Sequence, residues 1–107
     1  MKGIGIDIEE IKRFSKPSKR LLEKIFTKKE LNYCLKKAKP QMHLAARFAV
    51  KEAVIKATGD KKIALKEIEV KNSKNGRPYV FVKGKKGKFL ISISHTDKNA
   101  VAVVVWL

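Results

Sequence analysis

The chain is short of cysteine, of acid and of arginine, and each shortage closes off a class of protein. Cys34 stands alone, so no intrachain disulfide can form and no thiolate cluster can hold a metal. That usage favours a reducing, cytoplasmic setting. Its surroundings, Leu31-Asn32-Tyr33-Cys34-Leu35, offer no catalytic company and predict a small buried hydrophobe on a helix face. No apolar run approaches the length that spans a bilayer, and the first residues lack the apolar core of a signal peptide. A membrane protein is therefore not expected. Acidic residues number 10 against 26 basic ones, a formal net charge of +16. Only Arg13, Arg20, Arg47 and Arg77 are arginines, so lysines supply nearly all of that charge. Lysine is a hydrated point charge, whereas arginine is the planar fork suited to base edges and phosphate clamps. An excess of this size draws acidic partners over long range. Nucleic acid, an anionic surface, an acidic protein and a polyphosphate all fit, as does a solvated, ion-paired surface.

What is present is one domain, residues 1–107, with a 44% hydrophobic content that suits an ordinary globular core. The chain turns on residues 44–57, Leu-Ala-Ala-Arg-Phe-Ala-Val-Lys-Glu-Ala-Val-Ile-Lys-Ala. At 100° per residue Leu44, Phe48 and Ile55 share one side, while Ala46, Val50, Ala53 and Val54 take the other. A helix apolar nearly all round is a buried helix, and Gly59 is placed to end it. Glu52 falls between the directions of Phe48 and Ala45. Its carboxylate either forms an i,i+4 pair with Lys56 or is held at the core edge by a cation or metal.

Ahead of this helix, residues 2–8 alternate and are β-branched, a first strand that delivers Asp7, with Gly3 and Gly5 allowing close backbone approach. Residues 9–14 read as a short helix, 15–18 as a turn and 19–25 as a second helix. Thr27 and Glu30 form a capping box for a helix over 28–37, and Pro40 closes the connection before the long helix begins near Gln41 or Met42. After Gly59 the period changes to two. Strands follow at 67–70, 78–82, 89–94 and 100–106, separated by turns at 72–76, 84–87 and 95–99. The order is an N-terminal strand and helices, then an antiparallel β-meander packed on the long central helix: an α+β fold. The last strand, Ala-Val-Ala-Val-Val-Val-Trp, is too apolar to leave one face in water. The central helix covers one side, and a neighbouring subunit is the expected cover for the other.

Two carboxylates, Asp7 at a strand and Glu52 on the buried helix, meet if that helix packs on the sheet. They repel unless a cation lies between them, and a hard divalent metal is the natural candidate. Asp7 could instead cap the following helix. Arg47, Lys51 and Lys56 project from the same helix toward phosphate oxygens, and Ser92-Ile93-Ser94-His95-Thr96 brings hydroxyls and a histidine to a strand end. Together these suit metal-assisted phosphoryl transfer, which depends on positioning and charge neutralisation.

Four stretches in order carry a family resemblance: Gly3-Ile4-Gly5-Ile6-Asp7-Ile8-Glu9; Arg47-Phe48-Ala49-Val50-Lys51-Glu52-Ala53 with Lys56; Ile68-Glu69-Val70 with Asn75-Gly76-Arg77-Pro78; and Ser92-Ile93-Ser94-His95-Thr96. Together they resemble the bacterial holo-[acyl-carrier-protein] synthases, the short type of 4′-phosphopantetheinyl transferase. The resemblance implies transfer of 4′-phosphopantetheine from coenzyme A to a serine of apo acyl carrier protein in fatty acid biosynthesis. It implies Mg²⁺ as cofactor, adenosine 3′,5′-bisphosphate as the leaving product and a homotrimer as the assembly. By the same resemblance Asp7 and Glu52 would hold the metal and, with Lys56, form the catalytic group. Lys56 and Lys51 would steady the pyrophosphate, Arg47, Gly76, Arg77, Pro78, His95 and Thr96 would line the coenzyme A site, and Arg13 would dock the acidic carrier. The rival from composition alone is a small basic nucleic-acid-binding protein. The aromatics sit mostly at core phase and the lysines form no concentrated stripe, so no nucleic-acid partner is expected.

Overall fold

Two glycines set how the first strand meets the long helix. The computed structural model describes residues 1–107, with β1 (Gly3–Glu10) lying directly on α3 (Pro40–Thr58). A Cβ on Gly3 would fall 1.9 Å from the Ala57 carbonyl oxygen, and one on Gly5 would fall 2.0 Å from that of Ala53. Only hydrogen fits at either position, as the paired glycines led us to expect. Pro40 occupies the first turn of α3, where its missing N–H costs nothing; the helix thus begins at the proline and not after it. Gly59 ends it in the left-handed region, at φ 70°, its N–H donating to the Ile55 carbonyl.

The remaining helices are α1 (Lys19–Ile25) and α2 (Lys28–Leu35). Ser18 caps the first, and the Thr27–Glu30 capping box starts the second. The strands are β2 (Ile68–Asn72), β3 (Pro78–Val82), β4 (Lys85–Lys86), β5 (Phe89–His95) and β6 (Asn99–Trp106). The α+β reading holds, with a change in how the sheets divide. The strands form two antiparallel sheets, β1-β6-β5 and β2-β3-β4. β4 stays with β3, while the first strand of the chain pairs with the last. The expected helix over 9–14 is also different. Glu9 and Glu10 pair with Ala100 and Asn99, and the Ile11 N–H donates to the Lys98 carbonyl. This ladder holds the chain extended, leaving only Ile11–Phe14 to turn as a 3-10 helix.

Two hydrophobic clusters meet along α3. Ala49, Val50, Ala53, Val54 and Ala57 pack on Ala102 and Val104 of β6 and on Ile68, Val70 and Val80 of the second sheet. Leu44, Ala45 and Phe48 pack with Phe14, Ile25, Phe26 and Cys34. Cys34 is fully buried, and burial pushes its thiol up to about 11. It is the inert small hydrophobe expected of it.

β6 has two unlike faces. Ala100, Ala102 and Val104 are buried on the helix side. On the other side Val101, Val103 and Val105 lie in register with Ile8, Ile6 and Ile4. Those three isoleucines are 62%, 60% and 60% exposed, and Leu90 on β5 is 55% exposed. A contiguous apolar sheet face is thus bare in the single chain, far from the scattered exposure ordinary for a monomer. No helix is long and apolar enough to cross a membrane.

Candidate active site

Residues two apart on a strand share a face, so β1 presents Asp7 and Glu9 to α3, where Glu52 and Lys56 answer them. Asp7 is largely buried, and its Oδ1 accepts from Lys56 Nζ at 3.2 Å. The same ammonium donates to the Ile6 carbonyl at 3.0 Å. Lys56 therefore pairs with Asp7 and not with its i,i+4 neighbour Glu52. The other Asp7 oxygen, Oδ2, is buried with no donor. Burial, and then the charge of Asp7, raise the Glu52 carboxyl above the usual range, with Lys56 and Arg13 opposing. Glu9 is pushed up to about 7, chiefly by burial and then by the neighbouring Asp7 carboxyl, while Arg13 pulls it back. Three carboxyl groups thus crowd one edge of the core with too little positive charge among them. No three acidic, histidine or cysteine side chains are arranged as a ready-made metal cage.

Lys51 departs from expectation. Its ammonium is 0% exposed and donates to Glu30 Oε1 at 2.6 Å, the Ile25 carbonyl at 2.7 Å and the Leu65 carbonyl at 3.1 Å. All three of its protons are used inside the protein. Lys51 turns into the helical cluster and cannot reach a phosphate, because its direction on α3 faces α1 and α2. Its partner Glu30 is equally buried, with Oε1 also accepting from the Thr27 N–H and Oε2 from the Val70 N–H.

The predicted nucleotide residues fall in separate places. Gly76, Arg77 and Pro78 line an open cleft of about 690 Å³, with Asn72, Asn75 and residues 89–93 on its walls. Arg47 lies behind it, 4.1 Å over the Tyr33 ring, donating to Asn72 Oδ1 at 2.8 Å. Asn72 borders both the large cleft and a smaller one of about 270 Å³ beside Arg47. His95 and Thr96 line a third recess with Ile8 and Val101, and Asp7 and Lys56 a fourth with the same two residues. The Thr96 hydroxyl accepts from the Lys98 and Asn99 N–H groups, so it fixes the turn. His95 stands across Ala100 from Glu9, about 10 Å away by two strand spacings. One chain therefore brings Asp7, Glu52 and Lys56 together, and Gly76, Arg77 and Pro78 together, but does not join the two groups in one pocket. The recesses holding Asp7 and His95 both border the bare sheet face.

A family model described as the 4′-phosphopantetheinyl transferase superfamily matches residues 3–105. The chain belongs to that superfamily. Within it the likeness is to holo-[acyl-carrier-protein] synthases. That of Thermodesulfovibrio yellowstonii is 46% identical, covering 98% of this chain and 97% of its own length. Among solved structures, the synthase of Bacillus anthracis in complex with coenzyme A (3′,5′-ADP) superposes with a TM-score of 0.84 at 37% identity, over 96% of this chain and 93% of that one. The Helicobacter pylori synthase in complex with coenzyme A gives 0.80 at 31%, over 95% and 97%. As a phosphopantetheinyl transferase the chain is an enzyme of this synthase type. Sequence reasoning did not single out two of this transferase's buried acids. Glu9 was legible from its i,i+2 spacing to Asp7, once the strand is carried to Glu10. Glu30 carried only a capping signal, and nothing in the sequence joins it to Lys51, 21 residues away.

Proposed function

We propose that this enzyme transfers the 4′-phosphopantetheinyl group of coenzyme A to a serine of an apo acyl carrier protein, with Mg²⁺, releasing adenosine 3′,5′-bisphosphate. The setting is fatty acid biosynthesis in the cytoplasm. The observation that carries this reading is the crowded pair Asp7 and Glu52 beside Lys56, with Asp7 Oδ2 buried and without a donor. A divalent cation suits that deficit, since two hard carboxylates leave room for water and phosphate oxygens as further ligands. Asp7 and Glu52 would hold it, and it would supply charge neutralisation at the pyrophosphate.

The chain's own residues do the rest. Lys56, half exposed and tethered to the Ile6 carbonyl, offers its remaining proton to a phosphate oxygen. The cleft at Gly76, Arg77 and Pro78 receives the nucleotide, with Arg47 held behind it through Asn72. The serine oxygen then bonds, with loss of its proton, to the phosphorus that carries pantetheine. The bridging P–O bond to the adenosine half breaks. Catalysis of this kind rests on positioning and electrostatics more than on covalent help. The net charge of +16 suits an acidic carrier, with Arg13 as its docking residue.

The bare face of Ile4, Ile6, Ile8, Val101 and Val103 supports a homotrimer whose sites are shared: Asp7 and Glu52 from one subunit, His95 with Ser92 and Ser94 from the next. Removal of a preorganised charge costs about 10²-fold or more in turnover, so Asp7→Asn and Glu52→Gln should each abolish release of adenosine 3′,5′-bisphosphate in Mg²⁺. Near-normal turnover of either variant would remove the metal assignment. Refolding Glu52→Gln together with His95→Ala should restore activity through mixed trimers. If exchange is proven, His95→Ala alone is inactive and the mixture stays inactive, the site belongs to one chain.

A further inference from the structure

Arg13 is not a free surface cation. Its Nη1 donates to Glu9 Oε1 at 2.7 Å, and the guanidinium lies 5.4 Å from the Phe48 ring centre and 6.0 Å from that of Phe14. The two partners differ sharply in setting: the Glu9 side chain is 10% exposed, that of Arg13 52%. The acid is anchored in the sheet, across from Ala100, and the base reaches from it into solvent. Exposed i,i+4 pairs normally contribute little and hold neither partner still. Here one member is fixed by the β-ladder and the other is laid over two core aromatics.

We propose that Glu9 is a positioning residue that fixes the Arg13 guanidinium for the acidic carrier protein. The inference rests on the reading of Arg13 as the docking residue. A long side chain that must be immobilised on docking weakens association, and one already held does not. The bond to Glu9 uses one of Arg13's five donors and leaves the others to face an incoming carboxylate. Any negative charge on Glu9 would weaken attraction of an acidic partner. Geometry and charge therefore make opposite claims about its removal. Positioning requires an acceptor at this place, not a negative charge, so a glutamine should serve and an alanine should not.

The test is steady-state transfer to an apo acyl carrier protein, with Glu9→Ala, Glu9→Gln, Arg13→Ala and the Glu9→Ala/Arg13→Ala double variant. Glu9→Ala should raise KM for the carrier about 2- to 10-fold. Glu9→Gln should recover most of that loss. The double variant should be no worse than Arg13→Ala alone, because Glu9 acts through Arg13. The proposal is overturned if the Glu9 and Arg13 effects add, if Glu9→Gln is as impaired as Glu9→Ala, or if Glu9→Ala improves capture. It is overturned too if Glu9→Ala leaves the carrier constant unchanged. Should Glu9→Ala fail to fold, Glu9→Gln and Arg13→Ala still decide: Glu9→Gln must match wild type in carrier KM while Arg13→Ala does not. An Arg13→Ala enzyme with unchanged carrier KM sinks the docking reading and this one together. A wild-type chain that modifies no carrier sinks the proposed function itself.

Discussion

Replacing Lys51 with methionine separates a structural lysine from a phosphate ligand. The substitution keeps length and apolar volume but removes the ammonium whose three protons go to Glu30, Ile25 and Leu65. It leaves the Glu30 carboxylate fully buried, with only the Thr27 and Val70 N–H groups to answer its charge. It also strands two main-chain carbonyls. Breaking a buried ion pair from one side costs about 3–5 kcal/mol, and the stranded carbonyls account for part of that figure. Domains of this size have a total stability of roughly 5–15 kcal/mol. The melting temperature should therefore fall by about 15–30 °C. Thermal unfolding by circular dichroism at fixed chain concentration reads the loss, since assembly makes the midpoint depend on concentration. Adding Glu30→Gln should recover at least about 1 kcal/mol relative to the sum of the single effects, because the orphan charge is gone. A Lys51→Met chain that melts within a few degrees of wild type yet binds coenzyme A poorly would refute the buried pair and return Lys51 to the phosphate.

Three further outcomes follow from the same packing. Gly5→Ala places a Cβ 2.0 Å from the Ala53 oxygen and 2.8 Å from the Ala57 nitrogen, and backbone cannot yield as a side chain would. Stability should fall by roughly 3 kcal/mol or more in urea titration, and a loss below about 1 kcal/mol would mean β1 and α3 are not in contact. The raised Glu52 carboxyl means that, without metal, the folded chain keeps this proton to higher pH than the unfolded one. Its contribution to stability is full below the ordinary value of 4.5 and is lost as pH rises through the raised one. In EDTA, Glu52→Gln should therefore gain on wild type as pH rises above about 4.5, and Mg²⁺ should raise the wild-type midpoint only; a constant gap between the two proteins contradicts this. Cys34, buried with its thiol pushed up to about 11, should resist a disulfide reagent at neutral pH until the chain unfolds; rapid labelling of the native protein would contradict the packing.

The central helix was legible because its pattern is local: apolar on nearly every side, stopped by Gly59. The carboxylate pair was legible because a strand carrying two glycines can lie close on a buried helix, which brings Asp7 toward Glu52. The pairing of β1 with β6 was not, since it joins the two ends of the chain and leaves no short-range trace. The strand's extension through Glu9 and Glu10 was hidden for the same reason, as only the ladder to Ala100 and Asn99 holds it. Lys51 misled because spacing places a side chain on a helix face but does not say what covers that face. Arg47 was read toward the nucleotide and reaches the cleft only through Asn72.

Intact mass measurement of an acyl carrier protein tests the proposed chemistry most directly. Apo carrier incubated with the wild-type chain, coenzyme A and Mg²⁺ should gain the mass of one phosphopantetheinyl group. Glu52→Gln should leave the carrier at its starting mass under the same conditions. A carrier unchanged by wild type, or modified equally by both proteins, would contradict transfer at the Asp7–Glu52 pair.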